Sequence, residues 1–330
     1  MRGEIDQLQP LTEAGAAPMS WNNYRMHFVW QLRTRKLVLG ERTLLMAIVN
    51  LTPDSFSGDG LLSAGGTLGL GPRAAVTKLA VATAIEAVDA GADIVDLGAE
   101  STRPNATPIS SEQEQGRLLP VLEQVLRARP DAVVSVDTYH ADTARAAARA
   151  GAEIVNDVSG LTWDQSMAGS VAQSGCGLVL MHARGRSAEW QTLPGLEGDA
   201  VVPIVFAGLC EQLAQAEAAE IRTERIVLDP GFGFGKRGAE NFALLARLGR
   251  LRELGRPLLV GLSRKGFLGD AVKHLQRNDV ALSEGRRTAT TAANVTAILA
   301  GVHVLRVHDL QAAQEAAAIA DAVLSAVNPD

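Results

Sequence analysis

One joint occurs three times along the chain. Asp89-Ala90-Gly91-Ala92-Asp93-Ile94-Val95-Asp96 and Arg149-Ala150-Gly151-Ala152-Glu153-Ile154-Val155-Asn156 match closely, and Leu299-Ala300-Gly301-Val302-His303-Val304-Leu305-Arg306 is a looser copy. Each runs from an Ala-rich stretch through a glycine into a short apolar run that ends on a polar residue. Glycine takes the left-handed conformation that stops a helix at no steric cost, so each joint reads as helix, cap, strand. Strands entered through helices in this way run parallel. The chain is thereby committed to an α/β architecture.

Strand candidates follow at 44–50, 93–98, 132–137, 153–157, 177–182, 225–229, 257–263 and 303–308, with helical stretches such as 73–90, 111–129, 141–150, 241–254, 287–300 and 311–327 between or after them. Strands this short and apolar suit a sheet buried on both faces. Eight strand–helix units over about 280 residues are the arithmetic of a (β/α)8 TIM barrel. Periodicity does not show closure, so a doubly wound open sheet is the alternative. Two short runs, 28–32 and 36–40, flank a basic turn and read as a hairpin before the first barrel strand. Residues 1–27 read as a mobile N-terminal extension and 28–330 as a single domain.

With 47% hydrophobic but only 4% aromatic residues, the core must be built from Ala, Leu and Val. The net charge of -6 argues against a nucleic-acid or membrane-surface partner, so any cation cluster should serve a local anionic ligand. Cys176 and Cys210 have no metal-ligand spacing, and a reduced cytoplasmic setting is the expectation. The start lacks the layout of a signal peptide, and no apolar run approaches a membrane span.

In a TIM barrel the chemistry gathers at the C-terminal ends of the strands. Those ends carry Asn50, Asp96, Asp137, Asn156-Asp157, His182, Asp229, Ser263-Arg264-Lys265 and Arg306-Val307-His308. Any one alone reads equally well as a helix N-cap or a salt bridge at the rim. A polar residue at nearly every end reads as a site. Asp137, Asn156 and Asp229 are acceptors suited to a heterocycle with several N–H groups in a row. Arg103, Arg306 and His308 suit an anion, phosphate above all. Lys265 fits either side. Asn50 and Thr102 offer neutral oxygens acceptable to a magnesium ion that also holds phosphate oxygens. Phe56, Pro104 and the phenylalanines among the glycines of 229–236 read either as loop plugs or as walls for a flat second ligand.

The ordered set NLTPDSFS, ESTRP, SVDT, NDVSG, LMH, LDPGFGFGK, LLVGLSRK and RVHD, from Asn50 to Asp309, resembles the dihydropteroate synthases, folate-pathway enzymes and sulfonamide targets. The resemblance implies a pterin-binding TIM barrel, homodimeric, that condenses 6-hydroxymethyl-7,8-dihydropterin diphosphate with 4-aminobenzoate and releases diphosphate. It implies Mg2+ held at Asn50. Carried over by motif, Asp137, Asn156, Met181, Asp229, Gly261 and Lys265 would bind the pterin, and Thr102, Arg103, Arg306 and His308 the diphosphate. Phe56, Pro104, Phe234 and Ser263 would form the aminobenzoate pocket. Lys265, Asp137, Arg306 and His308 would carry the catalysis. Asn105 and Gly266 stand where many relatives have Gly and Ser respectively, and the loop after Asn50 is longer. A silent pterin-binding paralogue, a pterin-dependent methyltransferase domain and a Schiff-base role for Lys265 are the competing readings.

Overall fold

The computed structural model describes residues 25–51, 72–102, 106–197, 199–275 and 279–327. Two strands, β1 (Phe28–Gln31) and β2 (Lys36–Leu39), pair antiparallel. Eight more form one parallel sheet: β3 (Leu44–Asn50), β4 (Ile94–Gly98), β5 (Val134–Asp137), β6 (Ile154–Asp157), β7 (Gly177–Met181), β8 (Ile226–Asp229), β9 (Leu259–Val260) and β10 (Val304–Val307). In chain order the described helices are α1 (Pro72–Asp89), α2 (Ser111–Ala128), α3 (Ala141–Ala150), α4 (Met167–Ser174), α5 (Val201–Ala218), α6 (Gly238–Ala246), α7 (Gly266–Val272), α8 (Asp279–Leu299) and α9 (Leu310–Val327).

Spatial order in the parallel sheet is β8-β7-β6-β5-β4-β3-β10-β9. Sequence neighbours are therefore spatial neighbours throughout, and a Leu228–Leu258 bridge joins the two ends beside β8 and β9. A doubly wound sheet would reverse order at a switch point. This one goes round and closes, as a TIM barrel does. The three joints behave as the sequence requires: Gly91, Gly151 and Gly301 hold φ of 90°, 112° and 99°.

Two expected elements come out differently. The seventh barrel strand is only two residues long, where 257–263 was expected. Pro257 has no N–H for the ladder, and Gly261 begins the departure toward a turn at Arg264, whose φ is 59°. The helix expected over 241–254 is α6 followed, after Arg247, by a 3-10 stretch over Leu248–Leu254. Gly249 lies inside that stretch and weakens α-helical continuity.

The hairpin closes the bottom of the barrel. Trp30, Leu32 and Leu39 are buried with Met46, Ile94, Ile154, Val179, Val227 and Val304 from the strand interiors. The Trp30 indole N–H donates to the carbonyl of Arg225 at 2.8 Å. Gly177 makes this approach possible, since a Cβ there would lie 2.7 Å from a Leu32 methyl. Of the stretch expected to be a mobile extension, residues 1–24 lie outside the described residues. Arg25 is buried, donates to Thr43 Oγ1 at 2.8 Å and pairs with Asp321 of α9. None of the described helices is long and apolar enough to cross a membrane.

Candidate functional site

At the C-terminal mouth of the barrel lies a cavity of about 410 Å³. Its lining includes Asn50, Thr102, Asp137, Asn156, Met181 and Asp229 from the β3 to β8 side, and Phe234, Gly261, Ser263, Lys265, Arg306 and His308 from the rest. Every described residue carried over by motif thus borders one space, whereas the strand-end residues Asp96, Asp157 and His182 are buried and do not line it. Phe56, Arg103 and Pro104, together with Asn105, lie outside the described residues.

A charge cluster sits at the floor. Arg306, on β10, donates from Nε to Asp96 Oδ2 and from Nη2 to Asp137 Oδ2, both at 2.6 Å. Asn156 Nδ2 donates to the same Asp96 oxygen at 3.1 Å. Strand pairing explains the convergence, because Gly98, Asp137 and Asn156 are successive register partners across β4, β5 and β6. Asn156 gives one amide N–H to Asp96, which orients the side chain, and its carbonyl oxygen is free to accept from a ligand. Burial pushes the Asp137 carboxyl up to about 7, against the opposing pull of Arg306. Asp229 is likewise raised by burial, while the Gly231 N–H donating to its Oδ1 at 2.7 Å works the other way.

Asn50 and Asp137 both approach the open face of Gly98. A Cβ at Gly98 would stand 3.7 Å from Asn50 Oδ1 and 3.6 Å from Asp137 Oδ2, so the glycine leaves that corner open. Among the described residues no group of three or more His, Cys, Asp or Glu gathers as a metal cage. The donor set fits a magnesium ion that brings most of its ligands with it, as phosphate-bound magnesium does.

The cationic side is built on two adjacent strand ends. The backbone N–H of His308 donates to Ser263 Oγ at 3.2 Å, and His308 Nδ1 lies 3.1 Å from the same oxygen. Ser263 can then give its own proton to Nδ1, which leaves the ring proton on Nε2. Lys265 is the N-cap residue of α7. Its Nζ lies 4.2 Å from the centroid of the Phe234 ring. Burial pushes the amine down to about 8, and Asp229 opposes the shift.

Phe234 belongs to the loop that follows β8. That loop is pinned by Lys236, which is only 4% exposed. The Lys236 Nζ donates to the carbonyls of Gly231 at 2.8 Å, His182 at 3.1 Å and Phe234 at 3.2 Å. Three carbonyls match the three hydrogens of an ammonium. Burial nonetheless pushes this amine down to about 7, with Asp229 opposing. Asn241 of α6 accepts the Gly233 N–H at 2.7 Å and donates to the Lys236 carbonyl at 2.9 Å.

Sequence reasoning missed several residues here. Asp96 was seen as a strand-end carboxylate but was given no role; it is fully buried and holds both Arg306 and Asn156. A carboxylate inside the apolar run of β4 was the available signal. Glu100 also lines the cavity, accepts the Tyr139 hydroxyl at 2.5 Å and lies 3.2 Å from His140 Nε2. Trp190, from the loop after β7, carries no motif and no sequence signal.

A family model described as pterin binding enzyme matches residues 46–308. Dihydropteroate synthase of Escherichia coli is 38% identical over 86% of this chain and 92% of its own length. The mitochondrial bifunctional folate synthesis protein of Pisum sativum is 37% identical over 91% of the chain. The chain spans only 57% of that longer relative. A structure of Xanthomonas albilineans dihydropteroate synthase with 4-aminobenzoic acid superposes with a TM-score of 0.77 at 38% identity, covering 90% of this chain and 98% of its own.

Proposed function

The chain belongs to the pterin-binding enzyme family, among the dihydropteroate synthases, and from that premise we propose that it condenses 6-hydroxymethyl-7,8-dihydropterin diphosphate with 4-aminobenzoate to give dihydropteroate and diphosphate. The observation that carries this reading is the sorting of groups within a single cavity. Asp137, Asn156 and Asp229 present acceptors on one side, and Arg306 and His308 present donors on the other.

The pterin lies against the acceptors. Asp137 Oδ1, the Asn156 carbonyl and Asp229 Oδ2 take its N–H groups, and Lys265 donates to a ring acceptor. Met181 and Gly261 border the ring. Arg306, His308 and Thr102, with Arg103 by motif, hold the diphosphate and stabilise the charge that develops as it departs. Asn50 and diphosphate oxygens would hold Mg2+, which supplies Lewis-acid neutralisation of the leaving group. Phe234 and Ser263, with Phe56 and Pro104 by motif, border the arylamine. The electron-rich dihydropterin shares the positive charge left on its methylene carbon, so bond cleavage runs ahead of attack. A neutral aromatic amine is already unprotonated near neutral pH and needs no strong base.

We further propose a cytoplasmic setting and a dimer in which two copies of the chain pair through the Ala-rich helices α8 and α9. Ile319 and Val323, one turn apart on α9, are 65% and 42% exposed, which supports that face. Sedimentation at micromolar concentration distinguishes dimer from monomer.

The direct test measures diphosphate release from the dihydropterin diphosphate with Mg2+, with and without 4-aminobenzoate, in wild type and Lys265→Ala. Dihydropteroate formed only when aminobenzoate is present, and lost in the variant, supports the assignment. Tight pterin binding without product in the wild type would identify a silent pterin-binding protein instead.

A further inference from the structure

Phe234 stands between two left-handed glycines, Gly233 at φ 78° and Gly235 at φ 69°. Backbone hydrogen bonds hold the main chain here, the Phe234 N–H donating to the Gly231 carbonyl at 3.1 Å, but they leave the direction of the ring to its side-chain contacts. Lys236 holds its carbonyl but does not touch its ring. The ring has two partners among the described aromatic and cationic groups. One is Lys265 Nζ, 4.2 Å from its centroid. The other is Trp190, whose ring lies edge-to-face with it at 5.1 Å and 79°.

Trp190 itself is held firmly. It is 7% exposed, and its indole N–H donates to the Gly185 carbonyl at 3.3 Å. Arg237 gathers the backbone around it, donating to the carbonyls of Trp190 at 3.4 Å, Gln191 at 2.8 Å and Leu193. Arg184 joins the same two loops, donating to the carbonyls of Gly235 at 3.0 Å and Pro194 at 3.2 Å. Trp190 also separates two spaces. It lines the site cavity and, together with Gly233, a neighbouring pocket of about 400 Å³ bounded by Gln191, Gly235, Lys236 and Arg237.

We infer that Trp190 is a positioning and specificity-determining residue: it fixes the Phe234 ring, and through that ring it fixes the arylamine wall. This rests on the reaction proposed above. Without the indole the two spaces join, the wall gains room behind it, and Phe234 can turn, while Lys265 keeps the attraction of Asp229. At the floor of the cavity Asp137, Asn156 and Arg306 are held by one another and by Asp96 rather than through Trp190, so the floor should not respond.

The test compares wild type, Trp190→Ala and Trp190→Phe in steady-state turnover, each substrate varied in turn. In Trp190→Ala the KM for 4-aminobenzoate should rise about tenfold, the loss expected for one good aromatic contact. The KM for the dihydropterin diphosphate should change less than about twofold. Trp190→Phe should bring the aminobenzoate KM back to within about threefold of wild type, since a benzene ring keeps the edge-to-face contact. A second readout needs no turnover. The chain has 7 phenylalanines, and incorporation of 4-fluorophenylalanine gives each a fluorine resonance, with that of Phe234 identified by its loss in Phe234→Leu. That resonance should shift and broaden in Trp190→Ala. An unmoved resonance, or two KM values rising together, overturns the inference. Should the wild type make no dihydropteroate, the proposed reaction falls, and the fluorine resonance alone decides whether Trp190 positions Phe234.

Discussion

Arg306 and Asp96 form a buried ion pair, with Nε 2.6 Å from Oδ2, and Asp96 has no exposed surface. Arg306 is therefore aimed before any ligand arrives. Its second carboxylate, Asp137, lies at the cavity wall, so the guanidinium is shared between a fixed anchor and a ligand-binding group.

Asp96→Asn keeps the shape and removes the anchoring charge. Turnover should fall about 100-fold, in the range for loss of a group that orients a transition-state donor. Stability should drop by about 3 kcal/mol, the lower end for breaking a buried pair, because Arg306 keeps Asp137. Steady-state kinetics and urea denaturation read the two effects. Unchanged turnover would mean that Asp96 does not orient Arg306 for catalysis.

Asp137 carries a pH signature. Its carboxyl is pushed up to about 7 by burial, and the pterin N–H groups proposed to bind it need the ionised form. Pterin affinity should therefore weaken as pH falls below about 7, approaching tenfold per unit. Asp137→Asn should bind weakly at every pH, without that slope. Stability of the empty protein runs the opposite way. A carboxyl whose folded pKa lies above its unfolded value contributes stability that is fully present below about 4 and lost as pH rises through about 7. Calorimetric titration and thermal melts between pH 5 and 8.5, an interval set by about 1.5–2 units either side of 7, separate the two trends.

Lys236→Met removes the clamp on the loop that carries Phe234. The loss of its hydrogen bonds to the loop carbonyls, offset by relief of a buried polar group, should cost about 2–4 kcal/mol. The amine is pushed down to about 7 in the fold. Its contribution is accordingly present above about 10.5 and lost as pH falls through about 7. The stability gap between wild type and variant should narrow toward acid. Denaturation at pH 6 and pH 9, chosen about 1–2 units either side of that value, checks the direction.

Gly266 opens α7 beside Lys265 and lines the cavity, and a Cβ added there meets nothing within 4 Å. Gly266→Ser should fit without strain and supply a hydroxyl to the aminobenzoate carboxylate. The KM for aminobenzoate should fall about tenfold, since a hydrogen bond to a charged group is worth about 1.5–3 kcal/mol. A rise in that KM would place the carboxylate elsewhere.

Most of the barrel was legible from local chemistry. Glycine at the helix–strand joints and unbroken apolar runs dictate parallel strands, and polar strand ends then point to the mouth. Asp137, Asn156, Asp229 and Arg306 are read in this way because a strand end fixes where a side chain goes. Asp96 was undervalued because its importance lies in contacts with Asn156 and Arg306, which are 60 and 210 residues away. Trp190 was invisible for a different reason. It sits in a loop without periodicity, and bonds between loops, those of Arg184 and Arg237 among them, bring it to Phe234. The shortness of β9 also depends on its neighbours, since two residues suffice where Leu228 and Leu258 complete the ring.

The hairpin beneath the barrel makes the site a cul-de-sac. With Trp30 and its neighbours stopping the lower end, everything that enters or leaves uses the upper mouth. Asp137 and Asn156 lie on the strands, whereas Phe234 and Gly266 lie in the loop and helix start beyond them. Traffic through a single door is then ordered by depth. The ligand of the floor must arrive before that of the rim, and a rim ligand that comes early blocks the queue. Excess aminobenzoate should accordingly slow the approach of the pterin, and the joined product must clear the mouth before the next cycle begins.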